Sequence, residues 1–310
     1  MFYGSQTCRR LAVLVVGGLV MTPRVAPAQE KGLTPQQELL FKQIHWQNGP
    51  STARLGQVAT IQVPAGYQFA DSASARAFSQ LNGNPPSPNL LGIMQPTADE
   101  ETWFVVFNYD ACGYVKDDEK DKINADELLS SIRHGTEAAN QERKKMGAPP
   151  LTVVGWEQPP NYDVQHNRLV WAIRGQSEGE MVINFNSRLL GREGVMSANL
   201  VVEPAGLEGA KAKYNQLLGD FSFAAGKKYA EFVPGRDKVA EYGLAALVLG
   251  GSAAVAAKSG LLGKLLKPII AGVVLVFGAI GGFFKKLFGK RASSEPGPSG
   301  DAASPPQDNY

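Results

Sequence analysis

The sequence predicts an α+β domain with a mainly antiparallel sheet and flanking helices, followed by a C-terminal transmembrane helical hairpin. Three observations carry this. Four β-type runs follow one another after a long amphipathic helix, instead of alternating strand and helix. Their connections, 175–179 and 191–194, are short and glycine-containing, as hairpins require. Both ends of the chain are so biased in composition that only the middle of its 310 residues can form a globule.

From the N-terminus, Arg9 and Arg10 precede an apolar run from Leu11 to Val20, and Ala26-Pro27-Ala28 supplies the small-x-small pattern of a signal-peptidase site. Residues 1–28 are therefore expected to be a secretory signal peptide, cleaved after Ala28. The apolar run is too short to cross roughly 30 Å of hydrocarbon as an anchor. Residues 29–49 are expected to be a linker with a short helix carrying Leu39, Leu40 and Ile44, and regular structure is expected to begin after Pro50, in a soluble domain spanning 50–240.

Within that domain Val58–Val63 reads as a strand stopped by Pro64-Ala-Gly66, and Ala73–Leu81 as a short helix ended by Asn82-Gly83. Leu90–Met94 and Trp103–Tyr109 are further strands. The second is apolar on both faces, Trp103, Val105 and Phe107 against Phe104 and Val106, which predicts a central strand covered on both sides. The long helix runs from Ala125 to Met146 with Leu128, Ile132, Gly135, Ala139 and Met146 as its inner stripe, and Asn124 with Glu127 forms a capping-box-like start. Strands follow at Leu151–Trp156, Leu169–Arg174, Met181–Ser187 and Val195–Val202, then a helix at Leu207–Leu218 and an extended piece at Phe221–Phe223.

Two uncharged runs, Tyr242–Ala257 and Pro268–Phe284, are expected to cross a membrane. Leu265 and Leu266 extend the second to residues 265–284, and the flanking lysines snorkel. Ala246, Gly250 and Ala254 in the first, and Gly278 and Gly282 in the second, give small faces on which two helices can pack closely. Residues 292–310, rich in Ser, Pro and Gly, are expected to be disordered.

Charge is nearly balanced, 31 Lys+Arg against 29 Asp+Glu, which argues against nucleic acid as a partner. Seven of the basic residues fall between Lys258 and Arg291, around the expected anchor. Cys8 lies in the expected signal peptide, so Cys112 is alone in the mature chain and cannot form an intramolecular disulfide. One Cys and three His without ligand spacing do not make a zinc site.

The acidic stretch from Asn108 to Asp121 offers Asp117, Asp118, Glu119 and Asp121 as candidate Ca²⁺ ligands. An EF-hand loop would need Gly and Glu where Lys122 and Leu128 stand, so a solvated loop favouring a helix dipole is the plainer reading. Cys112 with His134 or His166, and Asp110 or Asp163 to orient the imidazole, are the candidate residues for a Cys/His-dependent hydrolase or transferase. A lone thiol is more often a small buried hydrophobe. No GxSxG elbow surrounds Ser72, Ser187 or Ser197, and no glycine-rich phosphate loop occurs. The four tryptophans with Tyr67, Tyr109, Tyr114 and Tyr162 could line a groove, although such residues more often fill a core.

Several stretches, taken together, carry a resemblance: Trp46–Pro50, Ile61–Tyr67, Trp103–Asp110, Gly113–Glu119, Gly155-Trp156, Arg188–Gly194 and Asp237–Gly243. In these the chain resembles the bacterial membrane-anchored family catalogued as domain of unknown function 2167, over nearly all of residues 29–288. The resemblance implies a membrane-anchored layout and brings no catalytic residues. A weaker likeness, in the strand-Pro-x-Gly-aromatic opening and in Leu217–Phe223, is to PsbP-like and Mog-one-like α/β/α sandwiches, which are mostly binding or assembly modules. The expectation is thus a bacterial inner-membrane protein whose soluble domain lies on the periplasmic side. It would be a non-enzymatic binding or assembly module whose partners are the membrane and another envelope protein, with no cofactor.

Overall fold

The computed structural model describes residues 34–81, 87–145 and 149–250. The expected signal peptide, residues 251–257 of the first span, the span at 265–284 and the tail lie outside the described residues. Along the chain, α1 (Pro35–Lys42), β1 (Trp46–Asn48), β2 (Ser51–Leu55), β3 (Ala59–Val63), β4 (Tyr67–Asp71) and α2 (Ser72–Leu81) precede β5 (Leu90–Pro96) and β6 (Phe104–Asp110). Then come α3 (Ala125–Lys145), the meander β7 (Thr152–Asp163), β8 (Arg168–Ser177), β9 (Glu180–Leu190) and β10 (Val195–Val202), α4 (Leu207–Gly219), β11 (Phe221–Phe223) and α5 (Leu244–Val248).

Eight strands form one sheet in the order β1-β4-β5-β6-β10-β9-β8-β7, and β11-β3-β2 form a second. Every named strand pair is antiparallel. The class is α+β with flanking helices, as the element order predicts. Strand β6 sits inside the large sheet and is apolar on both faces. Val105 and Phe107 join a core with the small sheet (Leu55, Ile61) and α4 (Tyr214, Leu217), while Phe104 and Val106 pack with Phe78 of α2 on the opposite face. Farther along that second face, Leu128 and Ile132 of α3 and Leu244 and Leu247 of α5 cover Trp171 and Ile173 of β8.

Several expectations need correction. Regular structure begins before Pro50, because β1 adds three residues to β4 at the edge of the large sheet, and β2 pairs with β3. The β1–β4 pairing is non-local, which hides it in a local pattern, whereas β2 and β3 form a local hairpin in which Ala53 and Leu55 alternate with exposed residues. Gly49 is required where β1 turns into β2, since a Cβ there would lie 1.9 Å from the Pro64 carbonyl oxygen. Strand β7 runs on through Pro159 and Pro160 with several register shifts. An edge strand tolerates prolines because one of its sides makes no ladder bonds.

The α3 cap is as expected: Asn124 Oδ1 accepts from the Asp126 and Glu127 amides at 3.2 Å, and Asn124 Nδ2 donates to Glu127. Its buried stripe is rotated from the expected one. Leu128, Ile132 and Thr136 are buried, the Thr136 hydroxyl donating to the Ile132 carbonyl, whereas Gly135 is exposed. A Cβ at Gly135 would meet nothing within 4 Å. Gly135→Ala should therefore stabilise the protein by about 0.5–1 kcal/mol, seen as a higher urea midpoint with unchanged m-value; a lower midpoint would show that this face of α3 is covered.

Candidate functional site

The helices do not close the second face of the large sheet with apolar groups throughout. Between the α2 cluster and the α3–α5 cluster, the face-two positions of three central strands are polar: Asn108 on β6, Ser197 and Asn199 on β10, and Asn184, Asn186 and Arg188 on β9. Register places them side by side, Ser197 between Asn108 and Arg188, and Asn199 opposite Asn186, which lies opposite Trp171 of β8. The cause is the period-two pattern of β9, in which Ile183 and Phe185 enter the first core while the alternating residues turn to this strip.

Arg188 is 9 % exposed. Its Nη1 donates to Asn199 Oδ1 at 2.8 Å and to the Ser187 carbonyl at 3.4 Å, and its guanidinium carbon lies 4.7 Å from the centre of the Trp171 ring. Burial pushes the guanidinium pKa down to about 10, against the fields of Tyr214, Asp110 and Tyr242, which raise it. Arg188 therefore stays cationic at neutral pH. Asp110 is engaged elsewhere, accepting from the Tyr242 hydroxyl at 2.8 Å. Asn186 Nδ2 donates to the Asn184 carbonyl at 2.9 Å, and the buried Asn184 Nδ2 has no partner among the described residues.

Cys112 is half-buried two residues after β6, with its Sγ 3.5 Å from the Gly113 carbonyl. Burial is the largest effect on its thiol and raises the pKa, so the thiolate is scarce at neutral pH. His134 is exposed on α3 and bonded to the Ser130 carbonyl at 2.8 Å, and His166 is exposed in the β7–β8 turn with Asp163 Oδ2 at 2.7 Å. Asp163 thus orients His166, and Asp110 lies in the field of Cys112, but neither imidazole is hydrogen-bonded to the thiol. His45 bonds the Gln43 carbonyl at 3.0 Å.

The acidic stretch is put to structural use. Glu119 Oε1 accepts from the Ala245 amide at 3.1 Å, at the start of α5, and Asp117 adds to the effect of burial in raising the Tyr162 pKa. Asp118 and Asp121 are exposed. Among the described residues no group of three or more His, Cys, Asp or Glu side chains converges as a metal cage.

What binds this loop is a strap, residues 224–243, that the sequence did not announce. Arg192 grips Asp237 with a two-pronged contact, Nε to Oδ2 at 2.6 Å and Nη2 to Oδ1 at 2.8 Å, and the Val233 amide adds a bond to the same carboxylate. Tyr114 stacks on Tyr229 and Phe232 with ring centres 4.4 and 3.9 Å away, while its backbone pairs with Lys238 and Ala240. Gly113 must be glycine: its φ is +102° and a Cβ would lie 2.7 Å from the Lys238 carbonyl oxygen. The strap leads into α5, whose Leu244, Leu247 and Val248 are buried in the domain core. These residues fall within the first expected membrane span, whose remainder from residue 251 lies outside the described residues. Among the described residues no helix is long and apolar enough to cross a membrane.

A family model described as "Protein of unknown function (DUF2167)" matches residues 47–281. No curated protein matches the chain. Among solved structures, the solution structure of cyanobacterial PsbP (CyanoP) from Synechocystis sp. PCC 6803 is similar with 10% identity and a TM-score of 0.34, over 58% of this chain and 92% of that one. A protein of unknown function from Pseudomonas aeruginosa, PA94, shows 15% identity and a TM-score of 0.23, over 54% of this chain and 92% of that one. Likeness at these scores carries no functional argument.

The strap makes a pH prediction. The Arg192 hydrogen bond holds the Asp237 carboxyl well below its ordinary value of 3.8. A depressed folded pKa stabilises fully above the unfolded value and loses that contribution as pH falls through the folded one. Hydrogen exchange of the Tyr114 and Ala240 amides, corrected for intrinsic rates, should show steady protection above about pH 4 and a fall toward pH 2. Asp237→Asn should already be less protected at pH 6 and lose the dependence; an unaltered profile would remove the fork from the account.

Proposed function

Since the chain belongs to the family described as protein of unknown function (DUF2167), its own surface has to supply the function, and we propose that it is a non-enzymatic binding module held at the outer face of a bacterial inner membrane, where it engages another envelope protein. The observation that supports binding is the polar strip. It sets the half-exposed Asn108, Ser197 and Asn199 around the buried, cationic Arg188, groups that recognise a partner by hydrogen bonding and exchange no proton at neutral pH. Membrane attachment rests on the sequence, on residues 265–284 and their flanking lysines.

The buried α5 favours one span over two. A single span at 265–284 puts Lys285, Lys286, Lys290 and Arg291 in the cytoplasm, as the positive-inside tendency prefers. A reporter active only in the cytoplasm, fused after Arg291, should therefore signal strongly; a silent reporter would restore the hairpin. For the binding reading, reversible crosslinking in cells and capture from solubilised membranes should recover one recurrent envelope protein. Failure to recover any, together with hydrolysis of an ester probe that Cys112→Ala abolishes, would replace this reading with the Cys/His enzyme.

A further inference from the structure

The Arg188 side chain is satisfied on one side only. Nη1 has two acceptors, but among the described residues neither Nε nor Nη2 has a hydrogen-bond partner, and no carboxylate lies close enough for an ion pair. A cation that is nine-tenths buried without a counter-charge is a costly arrangement unless solvent or a ligand completes it, and since neither Nε nor Nη2 is among the fully buried unpaired atoms, this edge is open to either. The unfilled edge is also the chemically distinctive one. Nε–H and Nη2–H point in parallel and match the two oxygens of a carboxylate, while the Trp171 ring holds the guanidinium plane in place.

We propose that this edge of Arg188 anchors a carboxylate ligand in the polar strip, with Asn186, Asn199 and Ser197 bonding the groups next to that carboxylate. The proposal rests on the binding-module reading and names the chemistry recognised. Access is provided by Asn108, Ser197 and Asn199, which are half-exposed beside the buried arginine. A monoanion fits better than a phosphate dianion. The strip holds one cation, and the Asp110 carboxylate is near enough for its field to act on Arg188, so it would repel a second negative charge. Asn184 Nδ2, buried without a partner, gives an independent sign of an incomplete polar site on the same strand and face. The asparagine amides can both donate and accept, which suits a carboxylate that carries its own amide or hydroxyl groups.

The test uses full-length ¹⁵N-labelled protein in detergent micelles and follows the Nε–H signal of Arg188, assigned by its loss in Arg188→Lys. Titration with N-acetyl-Ala-Ala should shift this signal downfield in a saturable manner, and the C-terminal amide of the same dipeptide should not. Arg188→Lys keeps the charge but loses the fork, and should weaken binding, read on the amide signals of Asn186 and Asn199, by about tenfold or more. Lactate run in parallel separates sources: a stronger response to the dipeptide points to a chain terminus, and a stronger response to lactate to a free small acid. No response to either acid up to about 10 mM, a concentration that would populate even a weak site, overturns the proposal. So does an equal response to the amide. A thermal-stability control guards against a purely structural arginine: Arg188→Met should melt at or above the wild-type temperature, and a marked fall with no carboxylate response would make Arg188 a structural pin. If the titration fails while crosslinked partner capture succeeds, only the carboxylate is lost; if the titration succeeds while capture fails, the envelope-partner reading is lost and the site stands.

Discussion

An eight-stranded antiparallel sheet has two faces to shield from water, and here the two are covered by unequal means. One face receives a second sheet and α4, a broad and mainly apolar cover that also buries Ser187, with the Tyr214 hydroxyl donating to the Ala198 carbonyl at 2.9 Å. The other receives separate helices, α2 near one end and α3 with α5 near the other. A helix covers a strip about 10 Å wide, so two separated helices leave sheet between them. The chain fills that interval with asparagine, serine and arginine, and most of what is distinctive about the molecule follows from this choice.

The second consequence is mechanical. The connection from β6 to α3 carries its acidic and aromatic residues into contact with the strap at 224–243, through the Tyr114 stack, the Glu119 bond to Ala245 and the Tyr242–Asp110 hydrogen bond. Tyr242 joins the strap to the same carboxylate whose field reaches Arg188. The last described segment before the expected membrane anchor is thereby fastened within the domain instead of trailing from it.

Much of the fold was legible because its strongest elements obey local rules. The double-faced apolar pattern of Phe104–Phe107 predicted a central strand, and Asn124 with Glu127 marked the start of α3. Strands β1 and β4 were not legible, since they pair with partners distant in sequence, whereas β2 pairs in a local hairpin with β3 and its alternation went unread. The candidate site was legible only in part. Cys112 drew attention as a lone thiol, and the structure sets it within the field of Asp110 at one end of the strip, yet the histidines that would have activated it are each bonded within their own element. Arg188, Asn186 and Asn184 escaped notice although their signal was available: three polar residues at period two among the apolar Val182, Ile183, Phe185, Leu189 and Leu190. Their neighbours on β6 and β10 could not be read off, because register between strands is not written in either strand alone.

The central claim is that Arg188 is a buried cation without a contacting acid. Its guanidinium ¹³Cζ shift, followed between about pH 8.5 and 11, tests this directly, since the shift reports the charge of that one group. An uncompensated guanidinium binds its proton less tightly in the folded state than in the unfolded chain, so Arg188 should begin to titrate near pH 10. Because the unfolded chain then holds more protons, the fold should also gain stability over the same interval. A ¹³Cζ signal that stays fixed throughout, with no such gain, would show that burial does not loosen the Arg188 proton, and would contradict the account.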